Sequence, residues 1–276
     1  MASKPIPALR RISITLGTAA RQAAWSALGF TVERHPDHPS SNIVRFRNFE
    51  IELLNANSTS DDRKPKISSW CWTSLQQQPQ TDTSSTSFCG LQLQPNVAID
   101  SQRNNNIDVN FHCNGVTSVD HVVLKTTDCD QLVMELEHAG LEVARSRTDI
   151  YPGIRQVFIR TGQAAGSTEK GLFLEIVGPD PNFDKDTDSD TPPNFLKVSP
   201  RQSDDKTPHE TQLWGLGLTS PDLQKTFSAA TPLCSKIRKA VQPNKHILTL
   251  KPKTKLGIAV AVLSDGRNAE QLNSRL

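Results

Sequence analysis

The chain has 276 residues, enough for one large domain or two small ones. Its net charge is +2, with 36% hydrophobic and 22% charged residues. It has no basic stripe with interleaved aromatics and no apolar run long enough to span a bilayer, so neither nucleic acid nor membrane is an expected partner. Five cysteines, at 71, 89, 113, 129 and 234, include no CxxC pair. An odd count without a secretory apolar stretch points to reduced thiols in an intracellular compartment, the cytoplasm or, if the C-terminal tripeptide acts as an address, the peroxisome.

In chain order, Ile12, Ile14 and Leu16 alternate as a strand does, and Ala20, Ala24 and Leu28 have helical spacing up to the breaker Gly29. Strands are expected at Thr31 to Arg34, Ile43 to Phe46 and Phe49 to Leu54. Lys4, Arg10, Arg11 and Arg21 stand without an acid in the first 32 residues. Because strand and helix patterns fill that stretch, it reads as structure rather than a transit peptide. His35 and His38, in HPDH, sit between prolines and read as a loop. Residues 57–87 are rich in Ser, Thr, Gln, Asp and Pro, a composition that buries too little apolar surface to offset chain entropy. The region 58–116 is therefore expected to be a linker, with a degraded module at 88–116 whose first strand is Phe88 to Leu93.

From 117 to 180 the pattern is clearest. Val119, His121 and Val123 open a strand. Asp128 suits a helix cap before Leu132, Leu136 and Ala139, and Gly140 closes the helix. Strands follow at Leu141 to Arg147, Gln156 to Arg160 and Leu172 to Val177, with Tyr151-Pro152-Gly153 as a turn. Residues 181–211 form an acidic, Pro-rich linker. From 212 to 266 the opening recurs: LWGLGLTSPDL aligns with Val119 to Cys129, Ser220 and Pro221 suit a helix start, and late strands fall at His246 to Lys251 and Gly257 to Leu263. Residues 267–276 are a tail ending Ser274-Arg275-Leu276, a variant of the S-K-L address read by the peroxisomal import receptor.

The string SVDHVVLKTTDCDQLVMELEHAGLEV with LFLEIVGPD resembles a module of the vicinal-oxygen-chelate superfamily, which includes glyoxalase, bleomycin-resistance and extradiol-dioxygenase proteins. GFTVERHPDHPSSNIVRFRNFEIELLN and LWGLGLTSPDLQ with IAVAVLSDG resemble further modules, with 1–57 a degenerate one. The resemblance implies an α+β fold of repeated βαβββ modules whose mixed, curled sheets pair to form an open cup flanked by helices, with homodimers known in such folds. It implies one divalent metal (Fe, Mn, Ni or Zn), held by a His on a module's first strand and a Glu on its last. Those positions carry His121 and Glu175 in the second block and Glu52 in the first, with Arg10 or Arg11 at the first strand. In the third block they carry Gly215 and Ala261, which offer no ligand.

Two functions follow from the resemblance. One is metal-assisted lyase, isomerase or dioxygenase chemistry on a small oxygenated metabolite, with His121, Glu175 and Glu52 as ligands and Glu175 as ligand or base. The other is a metal-free module that sequesters a small molecule, or a non-catalytic structural module. Arg147, Arg155 and Arg160 border the expected cup and suit a carboxylate or phosphate. Trp214 suits stacking on a planar ligand.

Overall fold

The first strand, β1 (Ala8–Thr15), alternates Ile12 and Ile14 with Arg11 and Ser13. The computed structural model describes residues 6–16, 19–54, 66–73, 87–88, 91–93, 112–162, 171–183 and 211–265. Helix α1 (Ala19–Ala27) ends at Gly29, whose φ of +83° is a left-handed turn open to glycine without strain. β2 (Glu33–Arg34), β3 (Ser41–Arg45) and β4 (Glu50–Leu54) complete a β-α-β-β-β unit, with β4 returning parallel beside β1. β5 (Lys66–Thr73) pairs antiparallel with the other edge of β1. β6 (Ser87–Phe88) and β7 (Leu91–Leu93) extend the sheet to the order β2-β3-β4-β1-β5-β7-β6, with β7 parallel to β5.

The second sheet repeats this plan. It contains β8 (Ser118–Thr126), α2 (Cys129–His138), β9 (Glu142–Tyr151), β10 (Ile154–Arg160) and β11 (Phe173–Pro179). β12 (Thr211–Ser220), α3 (Leu223–Ala230), β13 (Arg238–Lys239), β14 (His246–Thr249) and β15 (Ala259–Ser264) follow. Its order is β13-β14-β15-β12-β8-β11-β10-β9. In each unit the last strand runs parallel to the first, and the two first strands meet antiparallel at the sheet centre. This is the mixed-sheet α+β architecture expected of repeated βαβββ units.

Three local expectations change. The stretch expected as a linker contains β5, where Trp70 and Trp72 alternate with Ser69 and Cys71. Phe88 to Leu93 is not a first strand, since its ends pair with each other and β7 with β5. The cap of α3 is Asp222, which accepts from the Lys225 N–H, while Ser220 Oγ takes the Asp222 N–H and donates to Gly115 O. By contrast Asp128 caps α2 through Gln131 N–H at 2.9 Å, as its side-chain chemistry predicts. The stretch 184–210 and the tripeptide Ser274-Arg275-Leu276 lie outside the described residues. Among the described residues no helix is long and apolar enough to cross a membrane.

Each central strand pair is interrupted by a bulge. In β1 the partners step from Leu9↔Trp72 to Arg11↔Cys71, leaving Arg10 extra; in β8 they step from Val119↔Leu218 to His121↔Gly217, leaving Asp120 extra. A bulge bends its strand and turns consecutive side chains toward one face. The bending shows in the second sheet, where Lys245, just before β14, reaches Asp120 on β8, Nζ to Oδ1 3.4 Å. Three strand spacings separate them, roughly 14 Å in a flat sheet. The helix side is the core: Ile12 and Ile51 of the first sheet, with Trp25 of α1 and Leu28 just after it, join Leu124 and Leu174 of the second, with Leu132 of α2 and Leu223 of α3, in one cluster. The helix-free side of the second sheet has its own small cluster, Val123, Ile154 and Val177 with Trp214.

The sheets are joined by side chains acting as backbone. Asn48, in the β3–β4 turn, donates through Nδ2 to Val119 O at 2.7 Å and accepts the Val119 N–H at 3.0 Å. Arg47 N–H donates to Thr117 O at 3.0 Å. Buried His112 accepts the Thr31 N–H at Nδ1 and meets Phe30 and Phe46 edge-on; burial lowers its pKa to about 4, so the ring is neutral near pH 7. Asn48→Ala leaves both main-chain groups of Val119 without this partner and is expected to cost about 1–3 kcal/mol in urea unfolding. Met134→Ala, at an exposed helix position, is expected to stay within about 0.5 kcal/mol.

Candidate functional site

The bulge at Asp120 puts two neighbouring side chains in contact. His121 Nδ1 lies 2.9 Å from Asp120 Oδ2, and His121 Nε2 lies 3.4 Å from Glu175 Oε2. Glu175 reaches the ring from β11, one step diagonally from the Phe173↔His121 pair. The imidazole lies across Gly217 of β12: a Cβ built there would sit 2.1 Å from His121 Cε1 and 2.4 Å from each ring nitrogen. Glycine at 217 is therefore what lets the ring lie flat on the sheet.

The charges are set by burial and by the neighbours. Burial alone would raise the Asp120 pKa, but the hydrogen bond and charge of His121, with Lys245, outweigh it and hold the carboxylate below its ordinary value. Burial pushes Glu175 up, partly offset by His121 and Arg145. An ionised Asp120 accepts from Nδ1–H, which leaves the Nε2 lone pair facing Glu175. The two carboxyl groups are thus unequal, one ionised and one inclined to hold its proton.

Testing the expected metal here gives an incomplete donor set. His121 and Glu175 converge, but the equivalent positions in the other half of the sheet are Gly215 and Ala261. A Cβ at Gly215 would lie 2.7 Å from Ala259 O, so no ligand side chain fits there without moving β15. Glu52 does not join His121. It stands on β4 of the other sheet, because the first block pairs through β1 with β5, and the second through β8 with β12. Two protein donors fall short of the three that hold an open catalytic metal.

On the first sheet Glu52 accepts from Ser13 Oγ at 2.6 Å and Ser41 Oγ at 2.9 Å. It also lies near the HPDH loop, with one donor atom each of His35, His38 and Glu52 within 4.8 Å of one another. This grouping was invisible in the loop reading of HPDH. The hairpin from His35 through Ser41 to Glu52 creates it. The ring chemistry argues against a cation, however. The N–H groups of Asp37 and His38 both donate to His35 Nδ1 at 3.1 Å, and burial, with Arg11, lowers the pKa of this ring. A neutral imidazole accepting at Nδ1 carries its hydrogen on Nε2. That Nε2 is buried without a hydrogen-bond partner, and it offers an N–H, not a lone pair. His38 and Glu52 remain as the lone-pair donors.

The remaining sequence candidates separate by strand parity. Arg147 and Arg160 lie on the same face as Phe158 and Glu175. Arg155 does not: one residue out of step on β10, it turns to the helix side and bonds Asp130 of α2 and Ser146 Oγ at 3.2 Å. Trp214 is the bulged residue of β12 and packs on Val123, Ile154 and Val177, so it forms part of the apolar floor. Sequence reading missed Arg145, whose guanidinium lies 4.5 Å above the Phe158 ring. It also missed Asp120, which simple alternation assigns to the opposite face.

No family model and no curated protein matches the chain. Solved structures do. A mutant of 4-hydroxymandelate synthase from Streptomyces coelicolor aligns over 94% of this chain and 93% of its own, at 11% identity and a TM-score of 0.54. A xylose isomerase-like TIM barrel/4-hydroxyphenylpyruvate dioxygenase fusion protein aligns over 95% of this chain and 50% of its own, at 11% identity and a TM-score of 0.52. Methylmalonyl-CoA epimerase from Mycobacterium tuberculosis aligns over only 54% of this chain, at 17% identity and a TM-score of 0.35. At these identities the likeness is one of backbone. Two β-α-β-β-β units joined first strand to first strand in the second sheet, one more such unit in the first, and a backbone matched nearly end to end by the synthase give this chain the vicinal-oxygen-chelate fold.

Proposed function

We propose that the protein binds a small oxygenated metabolite on the helix-free face of the second sheet and moves a proton on it with the His121–Glu175 pair. The observation that carries this reading is the Asp120–His121–Glu175 chain, with contacts of 2.9 and 3.4 Å, beside the small residues Gly215, Gly217 and Ala261. Asp120 fixes the tautomer, so Nε2 is free to take a proton from a carbon next to a carbonyl. Glu175, inclined by burial to hold its proton, supplies one to the carbonyl oxygen, and the ligand becomes an enol. Transfer from Nε2–H to Glu175 across 3.4 Å then restores the pair. This is the proton step of an isomerase or lyase.

A second reading, a metal-free binding protein that sequesters its ligand, is favoured by the apolar floor of Val123, Ile154, Val177 and Trp214. Deuterium wash-in separates the two. A panel of 2-oxo and 2-hydroxy compounds is incubated with the protein in deuterated water and followed by proton NMR. Catalysed exchange next to the carbonyl is expected, and His121→Ala or Glu175→Gln should slow it by roughly 10²–10⁴-fold. Compounds that bind without exchanging would leave the sequestering reading standing. Metal analysis of the same samples checks the donor count: stoichiometric metal lost in His121→Ala would overturn the metal-free proton step.

Burial raises the Glu175 pKa, so the folded state is penalised for ionising it. That penalty is absent below the ordinary carboxylate range and grows as pH rises through the folded-state value. Glu175→Gln is expected to melt above the parent at about pH 8, with the gap closing toward about pH 4. A gap that widens on acidification would contradict the assignment.

A further inference from the structure

The two sheets carry the same rows of positions with different charges. Starting from the residue after each bulge, the first sheet has the row Arg11, Glu50, Arg45, and the second has His121, Phe173, Arg160. Two residues further along, the first sheet has Ser13, Glu52, Ile43, Glu33, and the second has Val123, Glu175, Phe158, Arg145. In the first sheet the charges answer one another. Arg11 gives Nε and Nη2 to Glu50 Oε2 at 3.0 and 2.7 Å, and Arg45 bonds Glu33 and Glu50. In the second sheet Phe173 stands where Glu50 would be, and Arg145 where Glu33 would be. Of the acids on that face, Asp120 is engaged by His121 and Lys245, Glu175 by His121, and Glu142, opposite Arg160 on β9, forms no ion pair with it among the described residues. Neither Arg145 nor Arg160 forms an ion pair or hydrogen bond among the described residues.

Arg145 is nevertheless held in place. Its guanidinium rests over the Phe158 ring, and its charge is felt at Glu175. Arg145 lies opposite Phe158, and Arg160 stands two residues beyond Phe158 on the same face, across a register shift in the β9–β10 pair. Two donor forks beside the Phe158 ring suit an oxyanion that accepts paired hydrogen bonds.

We propose that the ligand of the second sheet carries an oxyanion, a carboxylate or a phosphate, which Arg145 and Arg160 bind while its apolar body lies toward Val123 and Trp214. The proposal rests on that face being the ligand site, and it goes further by stating what the ligand must carry. It also gives the charge difference between the sheets a purpose: the first is neutralised by its own glutamates, and the second by its ligand.

The test is equilibrium binding to the full-length protein by calorimetry, with three probes that share a phenyl ring: benzoate, its uncharged counterpart benzamide, and phenyl phosphate. Benzoate or phenyl phosphate is expected to bind at least about tenfold more tightly than benzamide. Arg145→Gln and, separately, Arg160→Gln should erase most of that preference while leaving benzamide unchanged, and Arg145→Lys should restore part of it. The stronger of the two anions identifies the head group. Benzamide binding as well as both anions, or a preference that survives both glutamine variants, would overturn the oxyanion assignment while keeping the ligand site. Failure of every probe to bind would remove the site reading as well. Far-UV circular dichroism on each variant excludes misfolding as the cause of a lost preference.

Discussion

One extra residue in the first strand of each sheet governs the rest of the molecule. In an uninterrupted strand, side chains alternate between faces, and Asp120 would be driven into the helix-side core beside Val122 and Leu124. The bulge spares it that position and sets its carboxylate against the ring of His121. The same extra residue bends the sheet, which is how Lys245 comes across from β14 to the other oxygen of Asp120. Tautomer, ring orientation and curvature therefore have one common cause. Gly217 is its complement, since the ring needs a partner strand that presents no Cβ beneath it.

With a shared backbone plan, the two sheets diverge in how they satisfy charge. The first buries Arg10, Arg11, Glu50 and Glu52 together with Ser13 and Ser69. A buried ion network of this kind contributes little net stability over apolar packing, but losing one member leaves a charge stranded. It fills its face with its own side chains and leaves the conformation little freedom. The second sheet keeps an acid at the Glu52 position, as Glu175, but has Phe173 in place of Glu50, Arg145 in place of Glu33 and Val123 in place of Ser13. Satisfaction from within is thus exchanged for an apolar floor with cations beside it. A single fold can in this way keep one half as scaffold and leave the other half chemically incomplete.

How far the sequence discloses this depends on the range of each cause. The unit around β8 to β11 is legible because dense apolar alternation, an Asp cap and a Gly stop agree locally. Convergence of His121 and Glu175 is legible through the family resemblance, since it needs only one parallel pair within one unit. β5 is obscured because Trp70 and Trp72 are embedded in a Ser- and Gln-rich stretch whose composition outweighs their alternation. Glu52 acquires the wrong partner because the choice of which units share a sheet is settled by long-range pairing, which no local pattern encodes. Arg155 and Arg145 change places for a related reason: both look equally available on a strand, and only the register of β9, β10 and β11 decides which one shares a face with Glu175. Asp120 escapes notice because the bulge that redirects it exists only relative to β12.

The first sheet also acts on the second at a telling point. Arg47 and Asn48, in the turn between β3 and β4, do not grip the partner sheet at random; they take the main chain of Thr117 and Val119. Val119 is the residue immediately before the extra Asp120, and its N–H and C=O are both held by the one Asn48 amide. Within the second sheet Thr117 is in turn tied to Thr219 O, on the partner strand across the same bulge. The strand is thus clamped just upstream of its irregularity by a rigid turn from the other sheet. A bulge stores its distortion locally, and without a fixed end it would be free to migrate along the pair. Clamped at 117–119, it is confined to position 120, and the imidazole at 121 is held where Glu175 and Gly217 require it. The internally neutralised sheet therefore serves as the anchor that holds the strand of His121 in register.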